Sequence, residues 1–320
     1  MRRGSSRSKR SPVTDHRIAG MKKLMMGPEV VSGHVRHRYL NVDGCTVFYR
    51  DCGPEDAPVL LLPHGYPCSS YEYRNLMPRL GDTWRLIAPD FPGCGYSDTP
   101  EEFDYSFDGY TRFLERFCEA SGIGSFALYL HDFGSQIGLR LAIRNPHRIM
   151  GLIIQNGDIY EDQLGPKYAP LRVYFDDPTP EARERLGDAV TKEGFKDEFL
   201  NGVPEELACR IPPDLWELHW PLMTPQRREI VVGIIAGLKE NLAWFPRYQA
   251  YLSEHRPPTL IVWGPRDGYM PEGAARAYLR DLPEAELHLL DGGHWLLETH
   301  LDEVVGLIRP FLASVRARRD

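Results

Sequence analysis

The chain has 320 residues, enough for one large domain or two modest ones, and its 42% hydrophobic content is that of a protein with a buried core. Its net charge of −7 is uneven: residues 1–23 carry eight Lys/Arg and one Asp, which leaves the remaining chain at −14. An acidic body argues against a nucleic-acid binder. The six cysteines are scattered without CxxC spacing, as expected of reduced packing cysteines in a cytoplasmic protein, and no metal site is indicated.

Residues 1–27 read as a disordered basic leader, rich in Ser and Arg and poor in apolar residues. The competing reading is a polybasic arm for an anionic surface. The segment lacks the apolar run of a secretory signal, and no stretch reaches the ~20 apolar residues that cross a bilayer.

Further along, Val42–Arg50 follows a hairpin pattern around Asp43-Gly44. Short apolar runs at Val59–Leu62, Leu86–Pro89, Phe126–Leu130, Gly151–Ile154, Thr259–Trp263 and Glu286–Leu290 predict buried strands. Helical patterns lie between them at Ser70–Leu80, Tyr110–Ala120, Gly134–Asn145, Gly273–Leu282 and Leu301–Ser314. The alternation predicts an α/β protein with a mostly parallel eight-stranded sheet covered by helices on both faces. Residues 159–254 break it: they are aromatic, charged and helical in pattern, with no buried-strand run. The expected organisation is a core of 28–158 and 255–320, with 159–254 as an inserted helical cap over the sheet's carboxyl edge.

In such sheets ligands sit beyond the carboxyl ends of the strands. The residues there are His64, Asp90, Asp132, Asp267 and His294. Asp132 follows the strand ALYL and opens the helix GSQIGLRLAIR, so a sharp strand–turn–helix elbow lifts its carboxylate over the sheet. Gly134 suits the tight turn and Gly138 close helix–sheet packing; Leu130 departs from the glycine of G-x-S-x-G. Ser135 is a weaker candidate, because Phe133 and Ile137 flank it and it lies within the helix. Asp132 as a plain helix N-cap is the bland alternative. Against it stands the order Asp132, Asp267, His294, which is nucleophile, acid, histidine, each at a strand's carboxyl end. Asp158, after β-pattern residues LIIQNG, is the other candidate for the acid.

These pieces, HGYP (64–67), DFPGCGYSD (90–98), LHDFGSQIG (130–138), WGPRD (263–267) and DGGH (291–294), resemble the α/β-hydrolase superfamily over residues 36–315. The HD-x-G elbow is similar to that of the aspartate-nucleophile branch, which holds epoxide hydrolases and haloalkane dehalogenases. The resemblance implies backbone N–H groups of Tyr66 and Phe133 as an oxyanion hole. It also implies a covalent ester on Asp132, hydrolysed by water that His294 activates, with no cofactor.

The leaving group divides the branch. Dehalogenases carry a Trp after the nucleophile and an Asn or second Trp as partner; this chain has Phe133 and Tyr66 at the matching places. Epoxide hydrolases use cap tyrosines to protonate the opening ring, which makes Tyr174 and Tyr248 the candidate donors, although Phe245 stands where the family's second tyrosine aligns. His64, Trp244 and Phe245 are expected to line an apolar pocket, with Trp220 as a further wall. The leading expectation is an epoxide hydrolase-like enzyme for a small or medium apolar molecule. A haloalkane or haloacid dehalogenase, an ester or lactone hydrolase, and a receptor-like binder that has lost turnover stay open as alternatives. A homodimer stays open as the assembly.

Overall fold

The computed structural model describes residues 33–188 and 190–318; the expected basic leader lies outside the described residues. Eight strands form one sheet: β1 (Val35–Val42), β2 (Cys45–Cys52), β3 (Val59–Leu61), β4 (Arg85–Pro89), β5 (Phe126–His131), β6 (Ile149–Gln155), β7 (Thr259–Trp263) and β8 (Glu286–Leu289). Their spatial order is β1-β2-β4-β3-β5-β6-β7-β8. The first two strands are a hairpin, and β2 meets β4 antiparallel; all other pairings are parallel. Asp43 and Gly44 both take positive φ, 50° and 88°, the backbone a two-residue hairpin turn requires. The sheet is thus the mostly parallel eight-stranded one expected, with β1 as the first arm of the hairpin.

The apolar strands look uniform in sequence but divide by the two-residue period of a strand. Leu61, Ile87, Leu128, Leu130, Ile154 and Trp263 face one core, which is completed by the helices Phe107–Ala120, Asp132–Arg144 and Phe245–His255. Leu60, Leu62, Leu86, Tyr129, Ile153 and Val262 face the other, closed by Met77, Leu80 and the apolar stripe Val304, Ile308, Leu312, Val315 of the helix Leu301–Ala317. Both faces are therefore dry, as parallel sheets demand.

The predicted helix Ser70–Leu80 is broken into a 3-10 turn at Ser70–Tyr73 and a short helix at Met77–Leu80. Pro78 lacks the N–H an unbroken helix would use, so it sits at the start of the second piece. Between β6 and β7 the described chain is helical, with its longer helices at Ala169–Asp176, Pro180–Gly187, Lys192–Phe199, Pro225–Leu242 and Phe245–His255. Among the described residues no helix is long and apolar enough to cross a membrane.

Candidate active site

Tyr66, Asp132 and His294, each just past a strand, meet at one cavity of about 290 Å³. Asp132 heads the helix after β5 with φ 48°, a left-handed backbone that costs a non-glycine residue energy and is found where a turn must aim a side chain. The turn closes because its neighbours are small. A Cβ on Gly134 would lie 2.2 Å from the Pro63 carbonyl oxygen. A Cβ on Gly138 would lie 2.4 Å from Leu130 Cδ2, so the missing side chain there is what admits the bulky leucine two residues before the apex.

The carboxylate of Asp132 has two distinct sides. Its Oδ1 accepts the Tyr66 N–H at 2.6 Å, and the Phe133 N–H also favours the charged carboxylate. Its Oδ2 lies 3.5 Å from His294 Nε2. On the far side of the imidazole, Nδ1 is 2.6 Å from Asp267 Oδ2. Asp132, His294 and Asp267 are all buried.

Burial opposes charge on all three, yet their mutual contacts prevail. His294, by hydrogen bond and charge, holds the Asp132 carboxyl below its ordinary range, and by charge and hydrogen bond does the same to Asp267. Lodged between two carboxylates, the His294 imidazole is held well above its usual value, with the Asp267 charge the larger cause.

Asp267 is fixed by more than the histidine. Asn156 Nδ2, just past β6, donates to Oδ2 at 2.9 Å. Asn201 Nδ2 and the Tyr269 N–H donate to Oδ1 at 2.9 and 2.8 Å. Asn201 also accepts the His294 N–H on its carbonyl at 3.3 Å. Asp158 is not the partner of His294. It is buried beside Gln136, whose Nε2 donates to its Oδ1 at 3.1 Å, and burial, with the Asp132 and Asp267 charges, raises its carboxyl to about 7. His131 is structural: one ring nitrogen meets Glu72 Oε1 at 2.6 Å and the other the His294 carbonyl at 3.1 Å.

Core and helical insertion both contribute to the cavity wall. Asp132, Phe133, Tyr66, Tyr269 and His294 come from the strand ends; Tyr168, Leu171, Tyr174, Leu186, Glu198, Ile235 and Leu238 come from the segment between β6 and β7. Tyr174 lines the cavity where expected. Five other residues expected there do not, and each has a physical reason. His64 is buried with Nε2 accepting the Phe91 N–H at 3.1 Å, against a smaller chamber of about 60 Å³ that Tyr66 and Phe133 also line. Trp244 stacks with the guanidinium groups of Arg140 and Arg247, 4.1 and 4.5 Å from its ring. Phe245 packs in the core against Tyr248. Tyr248 itself is fully buried, its hydroxyl accepting from Arg140 Nε at 2.7 Å and donating to Asn241 Oδ1 at 2.9 Å, so it is no proton donor to the cavity. Trp220 packs on Phe195 instead of lining the cavity.

Sequence reasoning missed Asn156, Asn201, Glu198 and Tyr269. Tyr269 lay two residues from a chosen acid, which is a usable signal. Asn156 lies two residues past a predicted strand, which is another. Glu198 and Asn201 sit at the end of the helix Lys192–Phe199, and nothing local in the sequence marks them.

Residues 58–301 match the α/β-hydrolase fold family. An uncharacterized hydrolase of Saccharomyces cerevisiae is 32% identical over 83% of this chain and 92% of its own length. A haloalkane dehalogenase of Bradyrhizobium diazoefficiens is 28% identical over 86% of this chain and 94% of its own. The crystal structure of a haloalkane dehalogenase from Bradyrhizobium elkani superposes with a TM-score of 0.73 over 89% of this chain and 100% of that one, at 24% identity, a likeness of fold alone. With that match over most of its length, the chain belongs to the α/β-hydrolase superfamily.

Proposed function

We propose that the protein hydrolyses small or medium apolar substrates through a covalent ester on Asp132, and that it acts on epoxides. The observation that carries the first part is the division of labour at Asp132. Backbone N–H groups of an oxyanion hole hold the carboxylate, Tyr66 on Oδ1, and Oδ2 faces His294. In a serine-type site those donors await the substrate's carbonyl; here they already grip the apex carboxylate.

The chemistry follows from that arrangement. Oδ2 attacks an sp³ carbon, forming a C–O bond as the leaving group departs with its electron pair. The ester carbonyl is then Oδ1, still held by the Tyr66 N–H, and the Phe133 N–H is the second donor assigned to it. His294 takes a proton from water, the water adds to the acyl carbon, and the charge that develops on Oδ1 falls on the two N–H groups. The alcohol leaves with the oxygen that began on Asp132.

The electrostatics support this order of events. Before reaction, two carboxylates favour the protonated imidazole. Esterification removes the Asp132 charge, one of the causes that raise His294, so the histidine holds its proton less tightly once the ester exists. The segment 159–254 serves as the cap over the site.

The wall supports epoxide over halide. Tyr66, Tyr168, Tyr174 and Tyr269 all bear transferable protons, whereas among the described residues no Trp or Asn lines the cavity to bind a halide. Dehalogenation is the second reading, favoured by the relatives. In a His294→Gln variant, epoxides and haloalkanes of matched skeleton distinguish the two: the substrate class that leaves an ester on Asp132, read by intact mass, is the one the enzyme takes. Full activity in Asp132→Asn, with reversion by deamidation excluded, overturns the nucleophile.

A further inference from the structure

We propose that Glu198 is the proton donor to the oxygen that departs when Asp132 attacks. This rests on the reading of Asp132 as nucleophile. Glu198 lines the same cavity as Asp132 and His294, opposite in origin: it comes from the helical insertion and they from the sheet. Its position is fixed at both ends. The backbone carbonyl of Glu198 accepts the indole N–H of Trp295, the neighbour of His294, at 3.0 Å. The side chain is held by Tyr269, whose hydroxyl is 2.9 Å from Oε1, and by Lys167, whose Nζ is 3.7 Å from Oε2. Tyr269 in turn donates its backbone N–H to Asp267, so the same loop sets both the triad acid and Glu198.

A good general acid needs a proton to give and a place to put the resulting charge. Burial and the Asp132 charge raise the Glu198 carboxyl, and Lys167, the Tyr269 hydrogen bond and His294 pull against them; the net shift is upward. Those four groups, with Tyr66, whose hydroxyl Glu198 affects in turn, are the titratable neighbours of Glu198. The same Lys167 and Tyr269 that oppose the proton stabilise the carboxylate after it has left. The step is self-timed. As the Asp132–carbon bond forms, the negative charge of Asp132 is consumed, and with it one of the causes that hold the proton on Glu198.

The atoms balance as follows. Asp132 Oδ2 bonds to one epoxide carbon, the carbon–oxygen bond breaks, and its electron pair takes the Glu198 proton to give a hydroxy-ester and a Glu198 carboxylate. Water hydrolyses the ester through His294, and the Asp132 carboxyl releases the proton that returns, through solvent, to Glu198. A bromoalkane needs no such proton, because bromide leaves as an anion.

The test follows the rate of ester formation on Asp132 by intact mass in the His294→Gln background, where the ester persists, with an epoxide and a bromoalkane of the same skeleton. Adding Glu198→Gln is expected to slow the epoxide about 100-fold more than the bromide, within the usual range for a general acid. In His294→Gln alone, the epoxide rate is expected to fall as pH rises through the Glu198 titration; Glu198→Gln abolishes that limb. Tyr269→Phe, which removes a hydrogen bond that lowers the Glu198 carboxyl, is expected to move the limb to higher pH. Equal slowing of both substrates, no slowing of either, or a limb unchanged by Glu198→Gln overturns the role of Glu198. No ester in His294→Gln with either substrate overturns the nucleophile, and this proposal with it.

Discussion

Gly65 precedes the residue whose N–H holds Asp132, and its missing side chain makes room for the carboxylate. A Cβ there would lie 2.4 Å from Asp132 Cβ and 2.5 Å from Oδ1. Ordinary carbon contacts are about 3.5–4.0 Å, so Gly65→Ala must move the carboxylate or the Tyr66 strand end by roughly 1 Å. The bond it disturbs first is the 2.6 Å hydrogen bond from Tyr66. A misplacement of about 1 Å costs roughly 100-fold, and losing one oxyanion donor costs about 100- to 1000-fold. Gly65→Ala is therefore expected to lower turnover at least about 100-fold. Gly124→Ala, where nothing lies within 4 Å of the added methyl, is the matched control. Steady-state rates and thermal melts on both variants make the comparison. Turnover in Gly65→Ala within tenfold of the parent would refute the close packing of Asp132 against this strand end.

Three other substitutions probe the surroundings. Asn201→Ala removes one donor from the buried Asp267 carboxylate and is expected to cost about 1.5–3 kcal/mol in urea unfolding; with His294 less firmly held, the ester should outlast that of the parent in a quench time course, and equal ester lifetimes would contradict this. Tyr248→Phe breaks the bonds to Arg140 and Asn241 far from the cavity, so it should cost about 1–3 kcal/mol of stability while turnover stays within about threefold; a large loss of turnover with unchanged stability would return this tyrosine to the chemistry. Asp158, raised to about 7 by burial first, keeps its proton in the folded chain over a range where the unfolded chain, near 3.9, has lost it. The folded state binds more protons across that window, so parental stability falls as pH rises through it, by up to about 4 kcal/mol, and Asp158→Asn is free of the fall. The stability of the variant relative to the parent should thus rise between about pH 4 and pH 7, and a parallel pair of curves would contradict the burial argument.

The sheet and the three residues at its strand ends were legible because both depend on local pattern. An apolar run ending at His131-Asp132 and followed by small residues specifies an elbow wherever the rest of the chain lies. The helical insertion was legible as a departure from alternation, but not which way its side chains point. Tyr248 and Phe245 lie on the same helix as the expected donor position; both are buried in the core, and only packing against the helix Asp132–Arg144 settles that face. Trp244 reads as a pocket aromatic until two arginines are seen to stack with it. The clamp on Asp267 was hidden for a different reason. Its donors Asn201 and Asn156 lie 66 and 111 positions from it, and single asparagines carry no periodic signal. Glu198 shares that fate: on a charged amphipathic helix, one glutamate is indistinguishable from its solvated neighbours until the fold turns it inward.

The central claim is that the atom attacking the substrate belongs to Asp132 and that water attacks the enzyme afterwards. A single turnover in heavy-oxygen water, with enzyme in excess over an epoxide, tests it. The prediction is that the heavy oxygen appears in the peptide bearing Asp132, and that the diol carries none. Heavy oxygen in the diol from the first turnover, with the Asp132 peptide unlabelled, would mean that water attacks the substrate directly and would contradict the account.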